Sequence, residues 1–174
     1  LIRAAGLPAP VHDNAPDFEA AKIAAERIGW PVVVKPVDGE RGEGVSVDIG
    51  SDEMLKTAFD LALGFSKRKT VIVERQVDGV CHRLFIANNR LLYAVKRLPM
   101  SVLGDGRSTV DELVTNELSK QRYLPPWKRS EIQPLDELAR NTLLKSGLSA
   151  TAVPAPGVRV PLRPIETTEW GGVD

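Results

Sequence analysis

The sequence predicts an α+β fold built from short apolar strands and amphipathic helices. The runs at 31–37 and 70–74 are rich in β-branched residues and too short for helices, which favours strands. At 17–28, by contrast, apolar residues recur every three or four positions, as on one face of a helix. Asn88 and Asn89 separate two further apolar runs, and asparagine tolerates the left-handed conformation of a tight antiparallel hairpin.

The composition is that of a globular protein with a packed core. Hydrophobic residues make up 43% and charged residues 26% of the 174 residues, which is the balance of soluble folded domains. This length allows one ordinary domain or two small lobes that share a cleft.

Charge and cysteine content narrow the range of partners. The 23 basic residues equal the 23 acidic residues, so no overall positive field is available for a nucleic-acid backbone, and any phosphate site must be local. Cys81 is the only cysteine, which excludes a disulfide framework and suits a cytoplasmic location. No apolar run approaches the length of a membrane span. We therefore expect neither a nucleic-acid nor a membrane partner.

The elements follow in order from these patterns. Further strands are predicted at 45–49, 82–87 and 90–95, and the proline-rich stretch at 153–164 is predicted to be extended. Further helices are predicted at 51–64, at about 109–122 and near 135–147. Ser108 and Asp111 predict a capped start for the third helix. The chain begins at Leu1 and stops without a closing element, so we interpret it as an excised piece.

Lys35 and the glycines after it form the first chemical motif. A lysine near the end of a buried strand, followed by Gly39, Gly42 and Gly44, can hold phosphate through its ammonium group and through backbone N–H groups. The loop matches neither the Walker A pattern nor the dinucleotide-binding fingerprint. A hairpin turn beside a lysine whose charge reaches solvent explains these residues equally well.

Glu74 ends the apolar strand at 70–74, and it forms the second motif. Backbone groups exposed at such a strand end can offer adenine one acceptor and one donor, with a glutamate at the rim. A strand that ends in a solvated glutamate is equally common, so this motif is unspecific by itself.

The order and spacing of these segments resemble ATP-grasp enzymes. The segments are Ala-Gly-Leu-Pro-Ala-Pro at 5–10, Gly-Trp-Pro-Val-Val-Val-Lys-Pro at 29–36, the glycine loop, and Val-Ile-Val-Glu at 71–74. The stretches at 81–86, 95–99 and 102–113 further resemble the cyanophycin synthetase group. The resemblance implies a fragment of the ATP-grasp fold, with a small antiparallel-sheet lobe at 1–76. The beginning of the large lobe would follow at 77–174, with a helical insertion at about 104–152.

The resemblance also implies roles for particular residues. Lys35 would contact the ATP phosphates, and the adjoining loop would close over them with Gly42, Glu43 and Gly44. The adenine hinge would be lined by Glu74, Arg75, Gln76 and Val77. Two arginines of the family core, Arg83 and Arg97, would act near the acyl-phosphate, although a pair of surface arginines on neighbouring strands is the alternative.

Two positions depart from the family pattern. The family commonly places an acid for the ribose hydroxyls where this chain has Cys81, and a thiol is a poor acceptor. The stretch at 164–172 also differs from the family's Asn-containing segment, which Arg163 would precede. The family's magnesium ligands fall beyond the sequence, so no metal ligand is assigned here.

The function implied is that of an ATP-dependent carboxylate–amine ligase, which forms an amide or peptide bond through an acyl-phosphate. ATP, Mg²⁺ and an amino-acid or peptide carboxylate are the implied cofactors and partners, and a homo-oligomer is compatible with the sequence. Ligases of the N-acetylglutaminylglutamine or glutathione type, and a noncatalytic nucleotide-sensing domain, remain alternatives. We expect the chain by itself to be inactive.

Overall fold

The computed structural model describes residues 2–40, 42–126, 129 and 132–166. The chain divides into two compact units, Leu1–Gly79 and Val80–Asp174. Each unit has its own hydrophobic core, and the predicted α+β class is confirmed. The assignment of the units to a small and a large lobe stays a prediction.

The first unit is a four-stranded antiparallel sheet with two helices. A short 3₁₀ helix precedes the strands β1 (His12–Ala15), β2 (Val32–Pro36), β3 (Ser46–Ile49) and β4 (Val71–Arg75). The helices α1 (Phe18–Ile28) and α2 (Asp52–Phe65) follow β1 and β3, and the strand order in the sheet is β1-β4-β2-β3.

The alternation of side chains along the strands places the core on one face of this sheet and leaves the other face without a described helix. Successive side chains of a strand point to opposite faces. In β2 and β4 every second residue is buried, and these buried residues pack against the apolar faces of α1 and α2. Val32, Val34, Val71 and Val73 are the residues of β2 and β4 that belong to this core. No described helix of the first unit packs on the opposite face, and we call it the helix-free face.

Local signals in the sequence fix the ends of both helices. The side chains of Asp17 and Ser51 accept hydrogen bonds from the backbone N–H groups of Ala20 and Met54, at 2.8 Å and 3.3 Å. These bonds satisfy N–H groups that the first turn of a helix leaves without a partner. Gly29 ends α1 with a φ of +88°, a conformation that glycine adopts without strain.

The second unit begins with a hairpin. Strands β5 (His82–Ala87) and β6 (Arg90–Lys96) pair in antiparallel fashion, as predicted. Asn88 and Asn89 have φ values of +48° and +57°, which is the geometry expected for this tight turn.

The remainder of the second unit packs two helices on a second strand pair. Strand β7 (Ser101–Leu103) pairs with β8 (Arg159–Pro161), and the helices are α3 (Val110–Gln121) and α4 (Glu137–Lys145). The core contains Met100, Val102, Val110, Val114, Ile132, Ala139, Leu143, Val160 and Leu162.

The predicted cap of α3 was wrong by one residue. Thr109, and not Ser108, is the N-cap, and its hydroxyl and backbone form a capping box with Glu112. Ser108 instead donates its hydroxyl hydrogen to Asp105, at 2.7 Å. The carboxylate of Asp105 also accepts the N–H groups of Ser108 and Arg107, and these bonds lower the pKa of Asp105 to about 2.

The glycine before Asp105 allows a close approach of two backbone segments. A Cβ atom at Gly104 would lie 2.3 Å from the carbonyl oxygen of Ala155 and 2.7 Å from that of Pro154. Gly104 also donates its N–H to the carbonyl oxygen of Val158, at 2.8 Å. The Gly-Asp-Gly segment therefore needs glycine at this position for packing.

No described helix combines the length and hydrophobicity that crossing a membrane requires.

Candidate functional site

The helix-free face of the first unit brings two of the predicted residues together. Lys35 on β2 and Glu74 on β4 both point to this face, and their side chains are half-buried. The ammonium nitrogen of Lys35 donates to Oε1 of Glu74 at 2.9 Å. The strand register explains this contact, because Glu74 lies opposite Val33, two residues before Lys35.

Apolar side chains lie beside this ion pair. Val33 faces Glu74, and Ile72 faces Lys35, on the same side of the sheet. All four side chains are half-buried. The combination of a cation, a carboxylate and two aliphatic side chains suits a ligand that has both a flat apolar part and an anionic part.

The edge strand β1 adds two polar residues that the sequence did not predict for the site. His12 lies directly opposite Glu74, and Asn14 lies opposite Ile72. Directly opposed residues of an antiparallel pair share one face. His12 and Asn14 therefore lie on the helix-free face and are exposed. The sequence His-Asp-Asn-Ala lacks the β-branched residues by which strands are predicted, so β1 was not predicted.

Two of the three remaining predicted hinge residues, Arg75 and Gln76, make tertiary contacts through their side chains. Arg75 donates to the backbone carbonyl of Ile28 at the end of α1, at 2.9 Å. Gln76 and Asp48 exchange two hydrogen bonds, each 2.7 Å long, which tie the end of β4 to β3. Val77 is exposed. The structure therefore shows tertiary contacts for Arg75 and Gln76, and their role at an adenine hinge stays a prediction.

The glycine loop between β2 and β3 is anchored to the end of α2. Asp38 accepts hydrogen bonds from the hydroxyl of buried Ser66 at 2.8 Å and from the N–H of Arg68 at 3.0 Å. Burial opposes ionisation of Asp38, but these bonds outweigh it and lower the pKa of its carboxyl group. These two hydrogen bonds of Asp38 therefore fix the start of the loop to the end of α2.

The glycines of this loop have conformational roles of their own. Gly42 and Gly44 have φ values of +85° and +67°, where side chains are strained. Within the turn, Glu43 donates its N–H to the carbonyl of Glu40, and Val45 donates to Gly42. The turn interpretation is thus sufficient to explain these glycines, and phosphate binding by Gly42, Glu43 and Gly44 stays a prediction.

The other predicted residues lie in the second unit. Arg97 donates its backbone N–H to the carbonyl of Cys81 at 2.9 Å, and Arg83 pairs with Val95. This register places the side chains of Cys81, Arg83 and Arg97 on one face of the hairpin. The guanidinium of Arg83 lies over the ring of Phe85, 6.0 Å from its centroid. The two arginines are thus neighbours, and their catalytic role stays a prediction.

Comparison with known proteins relates the first unit to a nucleotide-binding family. The family described as the carbamoyl-phosphate synthase L chain, ATP binding domain, matches residues 3–84. The cyanophycin synthetase of Crocosphaera subtropica is 34% identical over 175 residues, which is 99% of this chain and 20% of that protein. The chain belongs to the ATP-grasp superfamily.

Two further proteins similar to this ATP-grasp chain are named for glutathione synthesis. The bifunctional glutathione biosynthesis protein of Desulfotalea psychrophila is 30% identical over 148 residues, which is 83% of the chain and 19% of that protein. The crystal structure of a bifunctional glutathione synthetase from Pasteurella multocida aligns with 98% of the chain and 23% of that protein, at 25% identity and a TM-score of 0.48. The chain spans about a fifth of the length of the curated relatives described here.

ATP-grasp ligases use Mg²⁺ together with ATP. Magnesium takes oxygen ligands, above all carboxylates. Within residues 2–40, 42–126, 129 and 132–166, no group of three or more His, Cys, Asp or Glu side chains is placed to hold a metal ion. We therefore assign the metal no residue in the described part of this ATP-grasp chain.

Proposed function

We propose that this chain forms the nucleotide-binding part of an ATP-dependent carboxylate–amine ligase. In such a reaction the γ-phosphate of ATP passes to a carboxylate oxygen, which gives an acyl-phosphate and ADP. An amine then attacks the acyl carbon, an amide bond forms, and inorganic phosphate leaves. The Lys35–Glu74 pair on the helix-free face, within the segment that matches an ATP-binding family, is the observation that carries this proposal.

The geometry of Lys35 supports a role in phosphate binding. An ammonium group has three donors, and among the described residues Lys35 uses only one of them, toward Glu74. The other two donors are available to phosphate oxygens, and charge-assisted hydrogen bonds of this kind are the strong ones. Val33 and Ile72 supply an apolar surface beside the cation, which suits a purine ring.

The substrates follow from the relatives. One relative is named for cyanophycin synthesis and another for glutathione biosynthesis. We therefore assign an amino-acid or peptide carboxylate as the group that is activated, and an amine as the acceptor. Arg83 and Arg97, neighbours on one face of the β5–β6 hairpin, are the cations we assign to the acyl-phosphate.

Calorimetric titration of the chain with ATP tests the role of Lys35. Lys35→Ala removes the charge on the helix-free face, and we expect it to weaken ATP binding by about 1.5–3 kcal/mol, the scale of a charge-assisted contact. Lys22→Ala and Lys56→Ala are matched controls, because these lysines pair with Asp52 and Asp60 on the helices.

Two results would count against this site. Equal losses for the three lysine variants would show that ATP responds only to overall charge. A loss of ATP binding in Lys35→Ala that comes with more than about 1 kcal/mol of lost stability in the free chain would show that the lysine acts through the fold. Unchanged far-ultraviolet circular dichroism and melting temperature in Lys35→Ala exclude this second explanation.

A further inference from the structure

A groove of about 830 Å³ lies between β7 and α3 in the second unit. Its buried lining residues are apolar and include Met100, Val102 and Ile132. Its volume falls in the range of sites that bind small molecules and short peptides. None of the site residues predicted from the sequence lines this groove, so the proposed nucleotide site leaves it without a function.

One wall of the groove is a strand edge. Within the described part of the chain, β7 pairs with β8 alone. Leu162 donates its N–H to the carbonyl of Met100, and Gly104 donates its N–H to Val158, so positions 100 and 104 face β8. Backbone groups alternate in direction along a strand. The N–H and C=O groups of Ser101 and Leu103 therefore point to the opposite edge.

Among the described residues, one cation of the groove has no carboxylate as a counter-charge. Glu117 contacts Lys120 at 3.5 Å and accepts a hydrogen bond from Gln121 at 2.6 Å. The carboxylate of Asp105 is occupied by the adjoining turn. Arg159 donates only to the hydroxyl of Ser101, at 2.9 Å, and none of the described carboxylates lies within ion-pair distance of it.

We propose that this groove binds an extended peptide that ends in a carboxylate. The peptide backbone adds as a further strand to the edge of β7, through the outward groups of Ser101 and Leu103. The carboxylate meets the guanidinium of Arg159, which can bind it through two parallel hydrogen bonds. The site lies within the second unit and does not rest on the proposed nucleotide function.

The length of the groove sets the length of the peptide. The groove follows α3 from Leu113 to Gln121, a distance of about 12 Å at 1.5 Å per helical residue. An extended chain covers about 3.3 Å per residue, so about four residues fit along the helix. A five-residue probe therefore spans the groove and reaches its rim.

Nuclear magnetic resonance titration of the ¹⁵N-labelled chain tests the proposal without ATP. The probe is acetyl-Val-Thr-Val-Thr-Val with a free C-terminal carboxylate. We expect it to shift the amide signals of Ser101 and Leu103. Arg159→Gln should weaken this binding at least fivefold, whereas Arg140→Gln on α4, an exposed control outside the groove, should leave it unchanged.

Three altered ligands separate the parts of the proposal. The same peptide with a C-terminal amide should bind the wild type as weakly as the acid form binds Arg159→Gln. A peptide that is N-methylated at alternate residues keeps its charge but lacks the strand donors, and it should lose binding. Sodium acetate should leave Ser101 and Leu103 unshifted. The proposal is overturned if acetate alone reproduces the shifts, if the N-methylated peptide binds equally well, or if Arg159→Gln and Arg140→Gln behave alike.

Discussion

Two cation–carboxylate pairs, one in each unit, serve different ends. Lys35 and Glu74 share one hydrogen bond, and their side chains are 32% and 19% exposed. Arg163, by contrast, is 2% exposed and binds Asp136 through two parallel hydrogen bonds of 3.0 Å and 2.8 Å. It also donates to Gln133 and to the carbonyl of Leu162. The side chain of Lys35 is partly exposed to solvent, whereas that of Arg163 is buried and held by four hydrogen bonds within the fold.

The difference shows how similar residue types acquire different roles. Asp136 is also the N-cap of α4, so Arg163 fixes the start of that helix against β8. A buried arginine that uses four of its five N–H donors within the fold is closed to a substrate, whereas a half-buried lysine with one bond can exchange its partner. Of Lys35 and Arg163, only Lys35 is exposed enough to contact a ligand.

Replacement of the buried cation, Arg163, should lower stability the most. Arg163→Leu removes the bidentate pair, and we expect the second unit to lose about 3 kcal/mol of stability. This is the lower end of the range for a broken buried pair, because half-exposed Asp136 can hydrate. Hydrogen exchange measures each unit separately, through the amides of Leu143 and Val160 for the second unit and those of Val34 and Val73 for the first.

Lys35→Met is the matched replacement in the first unit. A partly exposed pair contributes little, so we expect a loss of less than about 1 kcal/mol at Val34 and Val73. If Lys35→Met destabilises its unit as much as Arg163→Leu destabilises the other, both cations are structural and the comparison fails.

A glycine pair extends the comparison to backbone packing. Gly104→Ala should destabilise the second unit by about 1–3 kcal/mol, because its Cβ would meet two carbonyl oxygens that belong to the backbone. Gly64→Ala in α2 is the control, since no atom lies within 4 Å of its Cβ position. Alanine favours the helix there, and we expect a gain of up to about 1 kcal/mol. Urea unfolding followed by circular dichroism measures both changes, and a tolerated Gly104→Ala would refute the packing argument.

The smallest expected effect concerns the acid stability of the second unit. Hydrogen bonds from Ser108 and Arg107 lower the pKa of Asp105 from 3.8 to about 2. The folded state therefore binds fewer protons than the unfolded state in this interval, and the stabilisation is present above pH 4 and lost as the pH falls toward 2. In Asp105→Asn the free energy of unfolding, measured with urea, should differ less between pH 5 and pH 2.5 than in the wild type, whereas Asp111→Asn should leave this difference unchanged. An unchanged pH difference in Asp105→Asn would contradict the lowered pKa of Asp105.

The sequence predicted the elements whose packing is local. The helices at 18–28 and 52–65 carry strong caps and clear apolar periodicity, and the hairpin turn at 88–89 has the residues that its geometry demands. Strand β1 was missed because its sequence is polar, and it is held as a strand by pairing with β4. β7 is only three residues long, and its partner β8 lies 58 residues away in sequence, so no local pattern marks it.

The candidate site was predictable only in part. Lys35 and Glu74 stand out as polar residues in apolar strands, but their contact depends on the register between β2 and β4, which the sequence does not display. The same register adds His12, which no motif suggested. For Arg163 the resemblance pointed to a family arginine, but its burial against Asp136 depends on tertiary packing that the sequence does not display.

The alternation of β4 limits how this protein can vary in length. Val71 and Val73 pack against the helices, while Ile72 and Glu74 lie on the opposite face. The deletion or insertion of one residue inside the strand would reverse this order, moving the carboxylate into the core and valine out of it. Core and candidate site would then be lost in a single step. We expect β4 to accept replacements one side chain at a time, and related chains to place their insertions and deletions in the flanking loops.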